Sequence, residues 1–153
     1  MLKNDESYMK LAIKEALKSL ETDDVPIGCV IVCDDKVIAR AHNEKEKHKN
    51  ALNHAEMVAI NKASKKLGHW RMHNCTIYVT LEPCSMCAGG IINARFKRVV
   101  FGSKDPRCGA FGSKLNLNDY NLECKPETIS CVLEDECSHL LSDFFKKMRN
   151  NKK

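Results

Sequence analysis

The chain has 153 residues, close to the roughly 150 of an average domain, so it reads as a single domain over 1–153, able to bury its own core. Its 25 Lys and Arg against 20 Asp and Glu leave a net charge of +5 and a pI near 8.7, a surplus that suits contact with a polyanion without demanding it. With 43% hydrophobic and 6% aromatic residues and a mean hydropathy of −0.40, the composition excludes a disordered or membrane-embedded chain. No run reaches the ~18 apolar residues of a span, and the polar start, Met1 to Glu6, has no signal-peptide core. A cytoplasmic protein with no membrane partner is expected.

Residues 5–20 set Tyr8, Met9, Ala12, Ile13, Ala16, Leu17 and Leu20 at three- and four-residue steps, the period of an amphipathic helix, with Asp5 and Glu6 at its positive end. The polar stretch 21–24 and Pro26-Ile27-Gly28 break it. The β-branched run 27–32 and, after Asp34-Asp35, the run 37–41 predict a hairpin. Residues 43–50 read as a surface loop; 54–67 carry helical spacing and stop at Gly68, a residue suited to end a helix. Residues 76–80 alternate like a strand, Pro83 breaks it, and 84–95 are helical again. A strand is predicted at 98–102. Gly, Asn, Asp and Lys make 103–121 irregular, and its length suits a functional loop. A last strand at 128–132 precedes a helix at 134–149, acidic in its first turn and basic in its last. Strands interleaved with helices imply an α/β layered domain with about five strands, some of them parallel.

Nine cysteines make about 6% of the chain, below the roughly 8–10% of secreted disulfide scaffolds. In a reducing compartment, thiols at motif spacing are metal ligands or nucleophiles sooner than bridges, and scattered ones are small core residues. Cys84 and Cys87 stand three apart at a helix start, which puts both thiols on one face near the positive end of a dipole that favours the thiolate. Alone, this spacing fits a metal site or a redox dithiol equally well. His54-Ala55-Glu56 opens the preceding helix, 30 residues upstream of Cys84. One imidazole and two thiolates make three ligands, and a zinc ion held by three protein ligands keeps a fourth position for water. Glu56 lies about 200° round the helix from His54, so it is not expected to share the ion and is free to move protons.

Alternatives remain on the residues alone. His54 and Glu56 could cap a helix, Cys84 and Cys87 could be buried thiols, and His69 and His73 could join the two cysteines in a closed structural zinc site. The ordered pair His-x-Glu and Pro-Cys-x-x-Cys matches the known signature of zinc nucleobase deaminases.

The sequence resembles the bacterial tRNA-specific adenosine deaminases (TadA type) along nearly its whole length. The likeness is carried by Asp24-Val25-Pro26-Ile27-Gly28, Ala41-His42-Asn43, His54-Ala55-Glu56, Tyr78 to Gly89 with its Leu81-Glu82-Pro83-Cys84-Ser85-Met86-Cys87, Val99-Val100-Phe101-Gly102, and Asp135 to Phe145. The resemblance implies a three-layer α/β/α fold of the cytidine-deaminase kind with a mixed, mostly five-stranded sheet. It implies hydrolytic deamination of the wobble adenosine of a tRNA anticodon loop to inosine, with one Zn²⁺ per subunit on His54, Cys84 and Cys87, Glu56 as proton shuttle, and a homodimer. It also implies that Val25 and Pro26 form pocket wall, Asn43 hydrogen-bonds the purine, and Asp105 accepts from the target ribose. Phe144, Phe145, Lys147 and Arg149 of a basic C-terminal helix (134–150) would contact RNA, within a run completed by Lys146, Lys152 and Lys153. Asn53, where Ala is frequent, and Leu122-Glu123-Cys124, where Phe-Asn-His is frequent, depart from the family's pattern. The rivals are a deaminase of free guanine, cytosine or a nucleoside, and an RNA-binding module with structural zinc.

Overall fold

Alternation along the central strands sorts their side chains between two apolar layers. Cys29 and Ile31, Ile77 and Val79, and Val99 and Phe101 are buried with Ala55, Ala59 and Ala63 and with Ala88, Ile91 and Ile92. Val30, Val32, Tyr78 and Val100 are buried on the other side with Met9, Ala12 and Cys137. Successive side chains of a strand point to opposite faces, so helices cover both faces of the sheet, the expected α/β/α arrangement. The computed structural model describes residues 1–152; Lys153, the last of the C-terminal bases, lies outside the described residues.

The order is α1 (Asp5–Lys18), β1 (Gly28–Cys33), β2 (Lys36–His42), a one-turn α2 (Lys45–His48), α3 (Ala55–Leu67), β3 (Cys75–Leu81), α4 (Ser85–Asn93), β4 (Arg98–Ser103), β5 (Glu127–Ile129) and α5 (Glu134–Asn151). The five strands lie in the order β2-β1-β3-β4-β5. The β1-β2 and β1-β3 pairs are antiparallel, whereas β3-β4 and β4-β5 are parallel. The hairpin turns at Asp34 and Asp35, with φ of 51° and 62°, the left-handed pair that a two-residue turn needs to match strand twist. Gly28 lets α1 lie directly on β1, since a side-chain carbon there would strike the Ala12 carbonyl of the helix backbone.

Five expectations need correction. The first helix stops at Lys18 and tightens into a 3₁₀ turn, Ser19–Thr22, and Leu17 and Leu20, placed on its apolar stripe by spacing, are 46% and 41% exposed. The surface loop 43–50 contains α2, and the last strand ends at Ile129, with Val132 buried beyond it. Asp5 does not decorate an exposed helix end: it is fully buried, accepting from Tyr78 Oη at 2.7 Å and Arg98 Nη2 at 2.9 Å. Cys33 and Cys75, read as core thiols, are register partners on β1 and β3 and are joined by a disulfide.

Candidate metal centre and active site

Two helix starts meet at the carboxyl end of β3. His54 and Cys84 are the N-cap residues of α3 and α4; both have extended backbone, and neither side chain makes a capping hydrogen bond. Released from that task, the imidazole and thiol turn toward each other, and Cys87, one turn into α4, joins them. His54 Nδ1 lies 3.6 Å from Cys84 Sγ and 3.5 Å from Cys87 Sγ. The three ligand atoms lie within 4.8 Å of one another. Zinc bonds of about 2.3 Å to sulfur and about 2.0–2.1 Å to nitrogen at tetrahedral angles would put each nitrogen–sulfur pair roughly 3.6 Å apart. The residues therefore fit the ion by donor set and by spacing. His69 and His73 are elsewhere, lining a cavity beside the Cys33–Cys75 disulfide, which leaves the closed four-ligand arrangement without its histidines.

The electrostatics of the cluster follow from shared protons. Cys84 is drawn down to about 4, first by its hydrogen bond with Cys87, against burial, and then by His54. Cys87 is pushed far up by that same hydrogen bond and by burial. His54 is raised, first by Cys84, against burial. A metal bound here would displace these protons, as thiolate and neutral imidazole ligation requires. Glu56 is 4% exposed and is not one of the clustered ligands. Burial is the main cause that lifts its carboxyl to about 7; its own backbone N–H opposes this, and the Cys84 charge adds to it. A carboxyl near neutrality can take a proton and give it back.

A cavity of about 440 Å³ is lined by Val25, Asn43, Lys45 and Phe144, among others. Three residues that the family resemblance assigns to substrate thus share one cavity. The backbone ties its rim to the start of α3, with Glu44 N donating to the carbonyl of Asn53, the residue before His54, at 3.0 Å. Asn43 is 6% exposed; its Nδ2 donates to the Val25 carbonyl at 3.2 Å and its Oδ1 accepts from Lys45 N. One N–H and one lone pair of the amide are left for a ligand. Pro26 is buried. Asp105 Oδ1 accepts from Arg107 N and Cys108 N, so this oxygen shapes the turn at Pro106. Phe144 and Phe145 touch edge to face at 5.3 Å, but Phe144 is buried at 8% exposure and Phe145 is 44% exposed. Neighbours on a helix point about 100° apart, so the two rings do not form one outward platform. Lys147 lines a second cavity, of about 370 Å³, between the end of α1 and α5; Arg149 is exposed on the last turn of α5.

Two polar residues within the stretches that carry the family likeness have buried roles that the sequence does not disclose. Asp24, fully buried, accepts from Glu46 N, Lys47 N and Thr22 Oγ1, tethering α2 to the cavity rim. Glu82 gathers donors from across the 105–113 loop. Asp24 sits in a polar turn and Glu82 in the irregular segment just after β3, where a charged residue by itself suggests solvent. Of the unusual residues, Asn53 contributes its carbonyl to Glu44 N at 3.0 Å, Glu123 pairs with Arg95 at 3.3 Å, and Cys124 approaches the Phe96 carbonyl.

An α/β/α fold that brings a His/Cys/Cys cluster and a buried glutamate together at the starts of two helices defines a deaminase, and the MafB19-like deaminase family model matches residues 3–149. The chain is 49% identical over 150 residues to a tRNA-specific adenosine deaminase of Bacillus subtilis (strain 168), covering 97% of this chain and 93% of that one. It is 40% identical over 147 residues to a tRNA-specific adenosine deaminase of Aquifex aeolicus, covering 95% and 97%. A solved structure from studies of A-to-I editing by tRNA:A34 deaminases superposes with a TM-score of 0.86 at 38% identity, covering 88% of this chain and 99% of that one. A guanine deaminase of Bacillus subtilis superposes less fully, with a TM-score of 0.63 at 35% identity over 68% and 66% of the two chains. The chain belongs to this deaminase family, among its tRNA-specific adenosine deaminases.

Proposed function

We propose that the protein hydrolyses the wobble adenosine of a tRNA anticodon loop to inosine and ammonia. The observation that carries the reading is the His54, Cys84 and Cys87 cluster with a buried Glu56 beside it but outside it. Near-full-length kinship with tRNA-specific adenosine deaminases supports the substrate. Zinc held by the three side chains would supply a nucleophilic water at neutral pH, its pKa lowered from about 15.7 to about 7.

The remaining chemistry falls to the chain's own groups. Glu56 takes the first proton of the attacking water and passes it to the purine ring, then takes the second from the hydroxyl newly bonded to C6 and delivers it to the amine, which leaves as ammonia while C6 keeps the oxygen as a carbonyl. Val25, Pro26 and Asn43 hold the extruded base, with the amide of Asn43 donating to and accepting from its edge. Asp105, through the oxygen not spent on its turn, accepts from the ribose 2′-hydroxyl and so favours RNA. Phe145, Lys147 and Arg149 contact the loop backbone, and Phe144 closes the cavity from within. A base in a single-stranded loop costs least to extrude. Among the described residues no helix is long and apolar enough to cross a membrane. The single domain, the homodimer and the cytoplasmic setting follow from the resemblance to the family and belong to the same proposal.

Incubation of zinc-loaded protein with a tRNA bearing a wobble adenosine, in parallel with free guanine, cytosine and cytidine, tests this. Inosine in the tRNA and no ammonia from the free compounds is the expected result; deamination of a free compound with the tRNA untouched would overturn it.

A further inference from the structure

The residue just before Pro83-Cys84 carries a buried carboxyl that the chemistry above does not use. Glu82 is 3% exposed. Its Oε1 accepts from Asp105 N at 3.1 Å and from the Ser113 hydroxyl; its Oε2 accepts from Phe111 N at 3.0 Å and Ser113 N at 3.1 Å. Four donors from one loop converge on one side chain, and among the described residues it forms no ion pair. A carboxylate can be buried without a cation when hydrogen bonds saturate both oxygens. The loop is built around it: a side-chain carbon at Gly109 would overlap the Glu82 carboxyl group. The same loop is stitched to the metal-ligand strand, with Ala110 N donating to the Pro83 carbonyl at 2.8 Å and Gly109 bridging Cys84.

We infer that Glu82 is a positioning residue that locks the 104–114 loop in register with the metal centre, so that Asp105 meets the substrate in a fixed place. The inference rests on the deaminase reading above. The physical reason is economy of connection. Beyond two isolated bridges and local turns such as Gly109 N to the Asp105 carbonyl at 2.8 Å, the loop has no regular structure, so a side-chain acceptor that spans it has much to hold. Among the described residues, Glu82 alone accepts from both Asp105, at the entry of the loop, and Ser113, near its exit. Because it stands two residues before Cys84, any shift of the lock would be felt against the ligand end of the same segment.

The test compares wild type with Glu82→Gln, which keeps the size but replaces one acceptor oxygen with a donor, and with Ser113→Ala, which removes a single donor from an exposed residue. Four quantities are read: bound zinc, the rate of tryptic cleavage after Lys104, Arg107 and Lys114, and both kcat and KM for wobble-adenosine tRNA. Expected for Glu82→Gln is zinc content equal to wild type, cleavage about tenfold faster, and KM raised about tenfold with kcat within about twofold. Ser113→Ala should move the same two quantities the same way by about threefold, which keeps the test open if Glu82→Gln does not fold. A purely structural role would lower the melting temperature and the active fraction while leaving KM in place, and that result overturns the inference. Faster cleavage with unchanged KM, or raised KM with unchanged cleavage, overturns it too. If wild type leaves the tRNA unmodified, the deaminase reading fails and the substrate half falls with it, while the cleavage ratios still decide whether Glu82 locks the loop.

Discussion

His54 and Cys84 hold the same station in two different helices: each is the N-cap, and each leaves the cap unmade so that Nδ1 and Sγ come within 3.6 Å. An N-cap that accepts from its own helix stabilises a protein by about 0.5–2 kcal/mol. Both helices forgo that contribution, and the metal cluster occupies the place where it would have been made.

Separating proton transfer from metal binding gives the first prediction. Glu56→Ala should keep one zinc per chain and lower the rate of inosine formation by at least about 10²–10⁴-fold, the usual size of a general acid-base contribution. Cys87→Ala, which removes a fully buried thiol of the cluster, should lose both zinc and activity. Metal analysis alongside a deamination assay checks both; a Glu56→Ala protein as active as wild type would contradict the role.

The Asp5–Arg98 pair gives a pH-dependent prediction. Burial alone would raise the Asp5 carboxyl above its ordinary 3.8, but hydrogen bonds from Arg98, Tyr78 and Leu2 N outweigh it and leave it lowered. A lowered carboxyl contributes stability in full above its unfolded value and loses it as pH falls through the folded one. Asp5→Ala strands a buried guanidinium and should cost about 3–5 kcal/mol at pH 7. Urea unfolding should show the same gap at pH 5, narrowing below about pH 4.

The turn of the first hairpin offers a stabilising change. Asp35 sits at φ 62°, and a non-glycine residue in the left-handed region costs about 1 kcal/mol. Asp35→Gly should therefore stabilise by up to about 1 kcal/mol, raising the melting temperature by roughly 2–4 °C, with deamination unchanged. Thermal unfolding checks it.

At Gly28 the opposite holds. The position faces the Ala12 carbonyl on α1, a backbone neighbour that cannot rotate away, so Gly28→Ala should destabilise by about 1–3 kcal/mol or more. Equilibrium unfolding should show it as a shifted midpoint with an unchanged slope.

What the sequence disclosed and what it hid differ in range. The central strands could be read because alternation is a property of five or six consecutive residues, and His54-Ala55-Glu56 and Pro83-Cys84-Ser85-Met86-Cys87 because each half of the centre is a local word. Asp5 with Arg98, 93 positions apart, and Cys33 with Cys75, 42 apart, have no local signature. Their meeting depends on strand register, which no single segment encodes. Glu82 and Asp24 belong to the same class, since charged residues between elements look solvated until their donors arrive from elsewhere. Phe144 and Phe145 show a finer limit: composition treats two adjacent aromatics alike, while a helix turns one into the cavity wall and the other toward solvent.

The central claim is a metal centre with three protein ligands, and zinc K-edge absorption on the purified protein tests it most directly. The account predicts one zinc per chain with two sulfur, one nitrogen and one oxygen neighbours, its removal by chelation abolishing inosine formation and stoichiometric zinc restoring it. Four protein ligands, or a fully active protein without metal, would contradict it.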